Sequence, residues 1–297
     1  MKTSRAGVAT ALALVAGCAW AKDEPQGSPQ VEAGQEFKVE PARLSLRVDA
    51  MAWYMGPGGD LDLPSTDSLG DPEPFTIDGL GYDTPRFVAA PEFNITWSDV
   101  WRVTARGYYF SDDHDRVMST SGRIGRVGFG AGDTLHSAMS FGSYEVEVAH
   151  KWFDYPDQLA AVPDRDFFGT VEFVGGVRVF QLGWDVARTS GGPFPGDTAQ
   201  NAEETFVQPM IGGRLRCDFT RDAGLDAQID LGMLPLGDGS NASADVIVGG
   251  WWYPWTNVGV QIGYRAAYFS LGTGTGVDDF DFTGWNQGLQ FGVVIQF

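Results

Sequence analysis

The feature that most constrains this chain is an alternation of period two that recurs through residues 43–297. Successive side chains of an extended strand point to opposite faces, so such a run is a strand with one apolar and one polar face. The last ten residues, "GLQFGVVIQF", show it plainly: Leu289, Phe291, Val293, Ile295 and Phe297 alternate with Gln290, Gly292, Val294 and Gln296. Leu44, Leu46, Val48, Ala50, Ala52 and Tyr54 likewise oppose Arg47 and Asp49, and Phe93, Ile95 and Trp97 oppose Glu92, Asn94 and Thr96. Trp101, Val103, Ala105 and Tyr109 oppose Arg102, Thr104 and Arg106. No run has a helical period with caps.

The polar faces separate two all-β folds. A secreted sandwich turns that face to solvent, where Lys, Ser and Thr would dominate. Here it mixes Arg47, Arg102, Arg106, Arg178, Arg214, Arg216 and Arg265 with Asp49, Glu92, Glu145, Glu147, Glu172, Asp218, Asp226 and Asp230, and lysine is nearly absent. Mixed signs on neighbouring strands suit a narrow lumen cross-linked by charge-assisted hydrogen bonds. Short turns ("SDV", "TRDAG", "PWTN") alternate with longer polar connections at 55–85, 111–140, 188–204, 235–243 and 271–283. The expected fold is a transmembrane antiparallel up-and-down β-barrel over residues 42–297, with about ten strands, eight to twelve being admissible, of roughly 9–11 residues each. Trp97, Trp101, Trp152, Tyr155, Trp251, Trp252, Tyr253 and Trp255 read as an interfacial girdle.

The first 21 residues read as a cleaved export signal: Lys2 and Arg5, an apolar stretch Ala6–Ala16, then Ala19-Trp20-Ala21. Val15-Ala16-Gly17-Cys18 also fits a lipobox, in which Cys18 would be lipidated. Residues 22–41 read as a flexible periplasmic leader. Cys217 has no cysteine partner once Cys18 is removed. With 39 Asp+Glu against 20 Lys+Arg the chain lacks the clustered cations that a nucleic-acid partner needs.

The signal, the alternating strands and the terminal "LQFGVVIQF" together resemble the bacterial outer-membrane β-barrel proteins, small OmpA-like and porin-type barrels above all. The resemblance implies an outer-membrane location amid lipid and lipopolysaccharide, and a monomer. It further implies that Leu289, Phe291, Val293, Ile295 and Phe297 form the signal read by the barrel-assembly machinery. A fold of this kind carries no activity by itself.

The chemically richest stretch is "SDDHDR", residues 111–116, where the Asp112-x-His114 spacing puts both side chains on one face. With Asp279-x-Asp281 it resembles the rim site of the omptin proteases, although the order of the pairs along the chain differs. His136-Ser137 resembles part of a lipid A deacylase site, yet neighbouring strand residues point to opposite faces and cannot simply pair. His150 belongs to an apolar face near the girdle. The crowded acids Asp60, Asp62, Asp67, Asp71, Glu73, Asp78 and Asp83, with Asp278, Asp279 and Asp281, suit weak Ca²⁺ or Mg²⁺ association rather than a defined metal site. No cofactor is expected. The favoured function is structural or recognition at the cell surface; the alternatives are a narrow, weakly cation-selective channel and a rim-site hydrolase using Asp112 and His114.

Overall fold

The computed structural model describes residues 44–297 apart from 66–74, 83, 99, 156–167, 193–194, 221, 237–238 and 275. The expected signal and leader lie outside the described residues, as do Asp67, Asp71, Glu73 and Asp83. In chain order the elements are β1 (Leu44–Asp62), β2 (Phe75–Thr76), a short helix α1 (Ile77–Leu80), β3 (Arg86–Ala89), β4 (Glu92–Trp97) and β5 (Trp101–Val117). They continue with β6 (Gly122–Ile124), β7 (Val127–Phe129), β8 (Thr134–Tyr155), β9 (Phe168–Ser190), β10 (Ala199–Asp218) and β11 (Ala223–Leu236). β12 (Gly239–Trp255), β13 (Val258–Gly272) and β14 (Asp281–Gln296) complete the series.

Ten of these strands form the wall, each antiparallel to its neighbours, in the order β14-β13-β12-β11-β10-β9-β8-β5-β4-β1. β1 then pairs with β14 from Arg47–Gln296 to Asp62–Asp281, so the sheet closes into a barrel and has no open edge. β3 prolongs β4 along β1 after the break at Ala90-Pro91, where proline cannot donate to a ladder.

The closed wall has an apolar exterior. Val146, Ile211, Ile262 and Leu289 are more than half exposed there, alongside Ile95, Val177, Val260 and Val293. On β5 this belt runs from Trp101 to Tyr109, close to the 9–11 residues that span a bilayer. Beyond it the same face turns polar: Ser111, Asp113 and Asp115 on β5, Gln181 and Asp185 on β9, and Asn201, Glu203 and Thr205 on β10 are exposed. The wall therefore crosses the membrane and continues past it. β9 has 23 residues and β8 has 22, about twice the crossing length.

This overturns two sequence expectations. Much of the stretches expected as loops at 55–85, 111–140 and 188–204 is strand, because a strand whose outer face turns polar beyond the membrane has the composition of a loop. The expected loop at 235–243 is a hairpin in which Leu236 pairs with Gly239. Trp251 also departs from the girdle: it is 5% exposed and faces inward, while Trp252 and Trp255 face out.

Inside, the lumen is layered. Toward the loop end, Trp53, Tyr108, Phe110, Phe141, Phe180, Trp184, Phe269 and Phe282 are buried and in contact, with Phe141 4.8 Å from Phe269 and Tyr108 edge-on to Trp53 at 5.0 Å. Above them lies a cap. Leu63, Ile77, Leu80, Tyr82, Met118, Ile124, Val127 and Phe129 are all buried, and the β6–β7 hairpin shares their core. The Gln200 amide donates to the Pro64 carbonyl at 2.8 Å and accepts from the Arg126 backbone N–H at 2.6 Å, which fastens the cap to β10.

Candidate functional site

Below the aromatic layer, inward-facing residues of β4, β5 and β8–β13 make one ion-paired cluster. Arg106 is its hub. Its Nε pairs with Glu145, its Nη2 donates to Glu147 at 2.8 Å and Asp230 at 3.2 Å, and its Nη1 reaches Glu92 at 3.5 Å. Arg178 donates from Nε to the second oxygen of Glu145 at 2.7 Å and pairs with Asp245 at 3.4 Å. Arg265 donates from Nε to Asp245 at 3.1 Å, and Arg214 from Nη2 to Glu147 at 2.8 Å. Arg102 extends the cluster toward the turn end through Glu172 at 2.9 Å.

Backbone economy makes this packing feasible. A Cβ on Gly212 would lie 2.2 Å from Asp230 Oδ1, and one on Gly176 would lie 2.8 Å from the Glu147 Cα. The wall thus lacks side chains where the central carboxylates lean on it. Charges buried this deeply are tolerable only when paired, since an uncompensated buried ion costs several kcal/mol.

The remaining lumen residues lie nearer the turn end. Arg47 donates to Asp49 at 2.8 Å and to Gln261 at 2.8 Å; Arg216 donates to Asp218 at 2.8 Å and stacks over Trp251 at 4.6 Å. Asp226 lines a cavity of about 30 Å³ with Arg106 and Arg214. A wider vestibule of about 260 Å³, lined by Arg47, Arg102, Lys151, Glu172 and Arg216, opens at the turn end. At the junction with the aromatic layer, the Arg265 guanidinium lies 5.2 Å from both Trp53 and Tyr108 ring centroids.

The rim residues divide between two faces. Inward, His114 Nε2 is 2.8 Å from Asp112 Oδ2, Arg86 pairs with the same carboxylate, and the Tyr82 ring lies 4.9 Å from the imidazole. Tyr82 and Ser137 share a hydrogen bond between their hydroxyls at 3.1 Å, and burial pushes the Tyr82 phenol up to about 12. Outward, His136 Nδ1 is 2.9 Å from Asp115. His136 and Ser137 therefore do point apart. Asp279 accepts from the Gly276 N–H within its own loop at 2.6 Å, and Asp281 accepts from Thr283 at 3.4 Å, so neither is joined to Asp112 or His114 by a described contact. His150 packs edge-on against Trp101 on the outer face, ring centres 4.4 Å apart. Among the described residues no three His, Cys, Asp or Glu side chains gather closely enough to hold a metal ion.

Sequence reasoning missed the aromatic layer. Its signal was present: at Trp53, Tyr108, Phe110, Phe180 and Phe282 the inward positions turn apolar, so "GYYF" at 107–110 is apolar on both faces.

No family model and no curated protein matches the chain. Among solved structures it is similar to the outer-membrane protease OmpT from Escherichia coli, at 9% identity, 85% of this chain, 97% of that one and a TM-score of 0.48. It is similar also to the P. putida toluene transporter TodX, at 8% identity over 86% and 90% of the two chains with a TM-score of 0.30. Outer-membrane expressed OmpT of Vibrio cholerae gives 10% identity, 89% and 100% coverage and a TM-score of 0.23. The likeness goes no further than a barrel. No activity follows from it.

Proposed function

We propose that the chain is an integral outer-membrane barrel that carries no current and acts at the cell surface, as a structural or recognition element. The observation behind this reading is the filling of the lumen, by the Arg106-centred ion cluster and then by the aromatic layer around Phe141. An ion crossing this barrel would have to displace paired guanidiniums and then pass a dry aromatic plug, which is costly at low dielectric. What reaches the outside is the cap and the polar collar on β5, β9 and β10, which supplies the recognition surface. The test is a planar-bilayer recording at high protein load: the reading expects no steps, and reproducible single-channel steps from the purified chain would overturn it in favour of the channel.

A rim-site hydrolase is a second reading, favoured by the 2.8 Å contact between His114 and Asp112. It requires a hydrolytic activity that His114→Ala abolishes while the folded barrel persists. A measured activity that is unchanged in that variant would remove it.

A further inference from the structure

We propose that the lumen cluster holds one proton, carried on Asp230 Oδ2 and directed at Glu147 Oε2. Ion pairs join Arg102, Arg106, Arg178, Arg214 and Arg265 to Glu92, Glu145, Glu147, Glu172, Asp230 and Asp245. Five guanidiniums face six carboxylates, so among the described residues the fully ionised cluster would carry one uncompensated negative charge. The nearby Asp226 enlarges the excess. Burying that charge at membrane depth costs far more than binding a proton.

Local geometry places the proton. Glu145 and Asp245 have both oxygens against guanidiniums, and Glu92 is held through Asn94 and Arg106. Glu172 Oε2 and Asp226 Oδ1 are buried without a hydrogen-bond partner, but Glu172 has Arg102 on one oxygen at 2.9 Å and Arg214 3.8 Å from the other. Asp230 is different. Its Oδ2 shares both of its donors with Glu147 Oε2: Arg106 Nη2 lies 3.2 and 2.8 Å from the two oxygens, and Gln228 Nε2 lies 2.7 and 2.9 Å from them. Two carboxylates that converge on one guanidinium nitrogen and one amide repel each other unless a proton sits between them. The other oxygen, Asp230 Oδ1, is fully buried over Gly212 with no hydrogen-bond partner, tolerable for a neutral acid's carbonyl and costly for a carboxylate. The groups facing the pair are Arg106 from β5, Glu145 from β8, Arg178 from β9, Arg214 from β10 and Asp245 from β12. The proton balances the five guanidiniums against the six carboxylates ion-paired with them, in the layer that blocks the lumen.

Infrared spectroscopy of the full barrel in lipid at neutral pH tests this. The expected result is a protonated-carboxyl band that shifts when aspartate carries a ¹³C-labelled side-chain carboxyl and that disappears in Asp230→Asn. Absence of the band, or a band unmoved by the aspartate label, overturns the proposal without any variant. Persistence of the band in folded Asp230→Asn overturns it as well. Asp230→Asn is also expected to raise resistance to urea, or leave it unchanged, at alkaline pH, because the amide needs no proton. A wild-type stability that instead depends on the concentration of a small monovalent cation would show that a metal ion, not a proton, balances the cluster.

Discussion

The guanidinium of Arg265 lies 5.2 Å from the centre of the Trp53 ring and also pairs with Asp245. One side chain thus joins the two lumen layers, electrostatically to the ion cluster and through its flat cation to the aromatic plug. Arg265→Leu leaves Asp245 short of a partner and removes the stacked cation. Such a loss should destabilise the barrel by about 3–5 kcal/mol, read as a lower urea midpoint in lipid. Arg265→Lys keeps the charge and loses the fork, so its midpoint should fall between the two.

Phe141 touches Tyr108, Phe110, Phe180 and Phe269 within one layer. Truncating it to alanine should cost about 3–5 kcal/mol through lost transfer energy and the cavity left behind. The ion cluster beneath stays intact, so planar-bilayer recordings of Phe141→Ala should remain silent. If currents appear, the aromatic layer is the principal seal.

Gly212 is a packing position rather than a hinge. A methyl there would meet Asp230 Oδ1 at 2.2 Å and the Ile229 carbonyl oxygen at 2.4 Å, and backbone cannot yield as a long side chain can. Gly212→Ala should lower the temperature at which the folded band on a gel gives way to the boiled one. Gly192→Ala, where no atom lies within 4 Å, is the control and should leave it unchanged.

Tyr82 is buried in the cap with its hydroxyl bonded to Ser137. Burial raises its phenol from the ordinary value near 10 to about 12. A raised folded value means that the neutral phenol supports the fold fully below about 10, and that this support is lost as pH climbs through about 12. Tyr82→Phe should remove one phenol from the late end of an ultraviolet titration and reduce the alkaline sensitivity of the cap, at a cost of about 1 kcal/mol near neutrality.

The barrel was legible in the sequence because its two faces differ along most of the membrane crossing. Val103 and Ala105 against Arg102 and Thr104 fix parity locally, and parity once fixed assigns every inward charge on that strand. Two things were hidden. At Tyr108 and Phe110 the inner face of β5 turns aromatic, and past Tyr109 both faces turn polar, so the alternation is lost and the continuation looks like a loop. The partners of Arg106 come from β4, β8 and β11, and which carboxylates meet one guanidinium depends on register and stagger across strands distant in sequence. No local pattern encodes that. Spacing alone puts Asp112 and His114 on one face, and in the structure they are in contact; the same rule says nothing of Arg86, Tyr82 or the distant Asp279, whose positions depend on pairing across strands.

The seam between β1 and β14 joins strands from nearly opposite ends of the described chain, and backbone hydrogen bonds tie Leu46 to Phe297 in both directions. Every other pair of neighbouring wall strands is closer in sequence, so it can form while the seam is still apart. Until the seam zips, two strand edges stand unpaired inside an apolar medium that offers no hydrogen bonds of its own. During that interval the half-made cylinder is a template, able to accept a strand from another polypeptide at either edge. The same pairing that makes the finished wall self-sufficient leaves its unfinished form with two edges open to any strand that meets them.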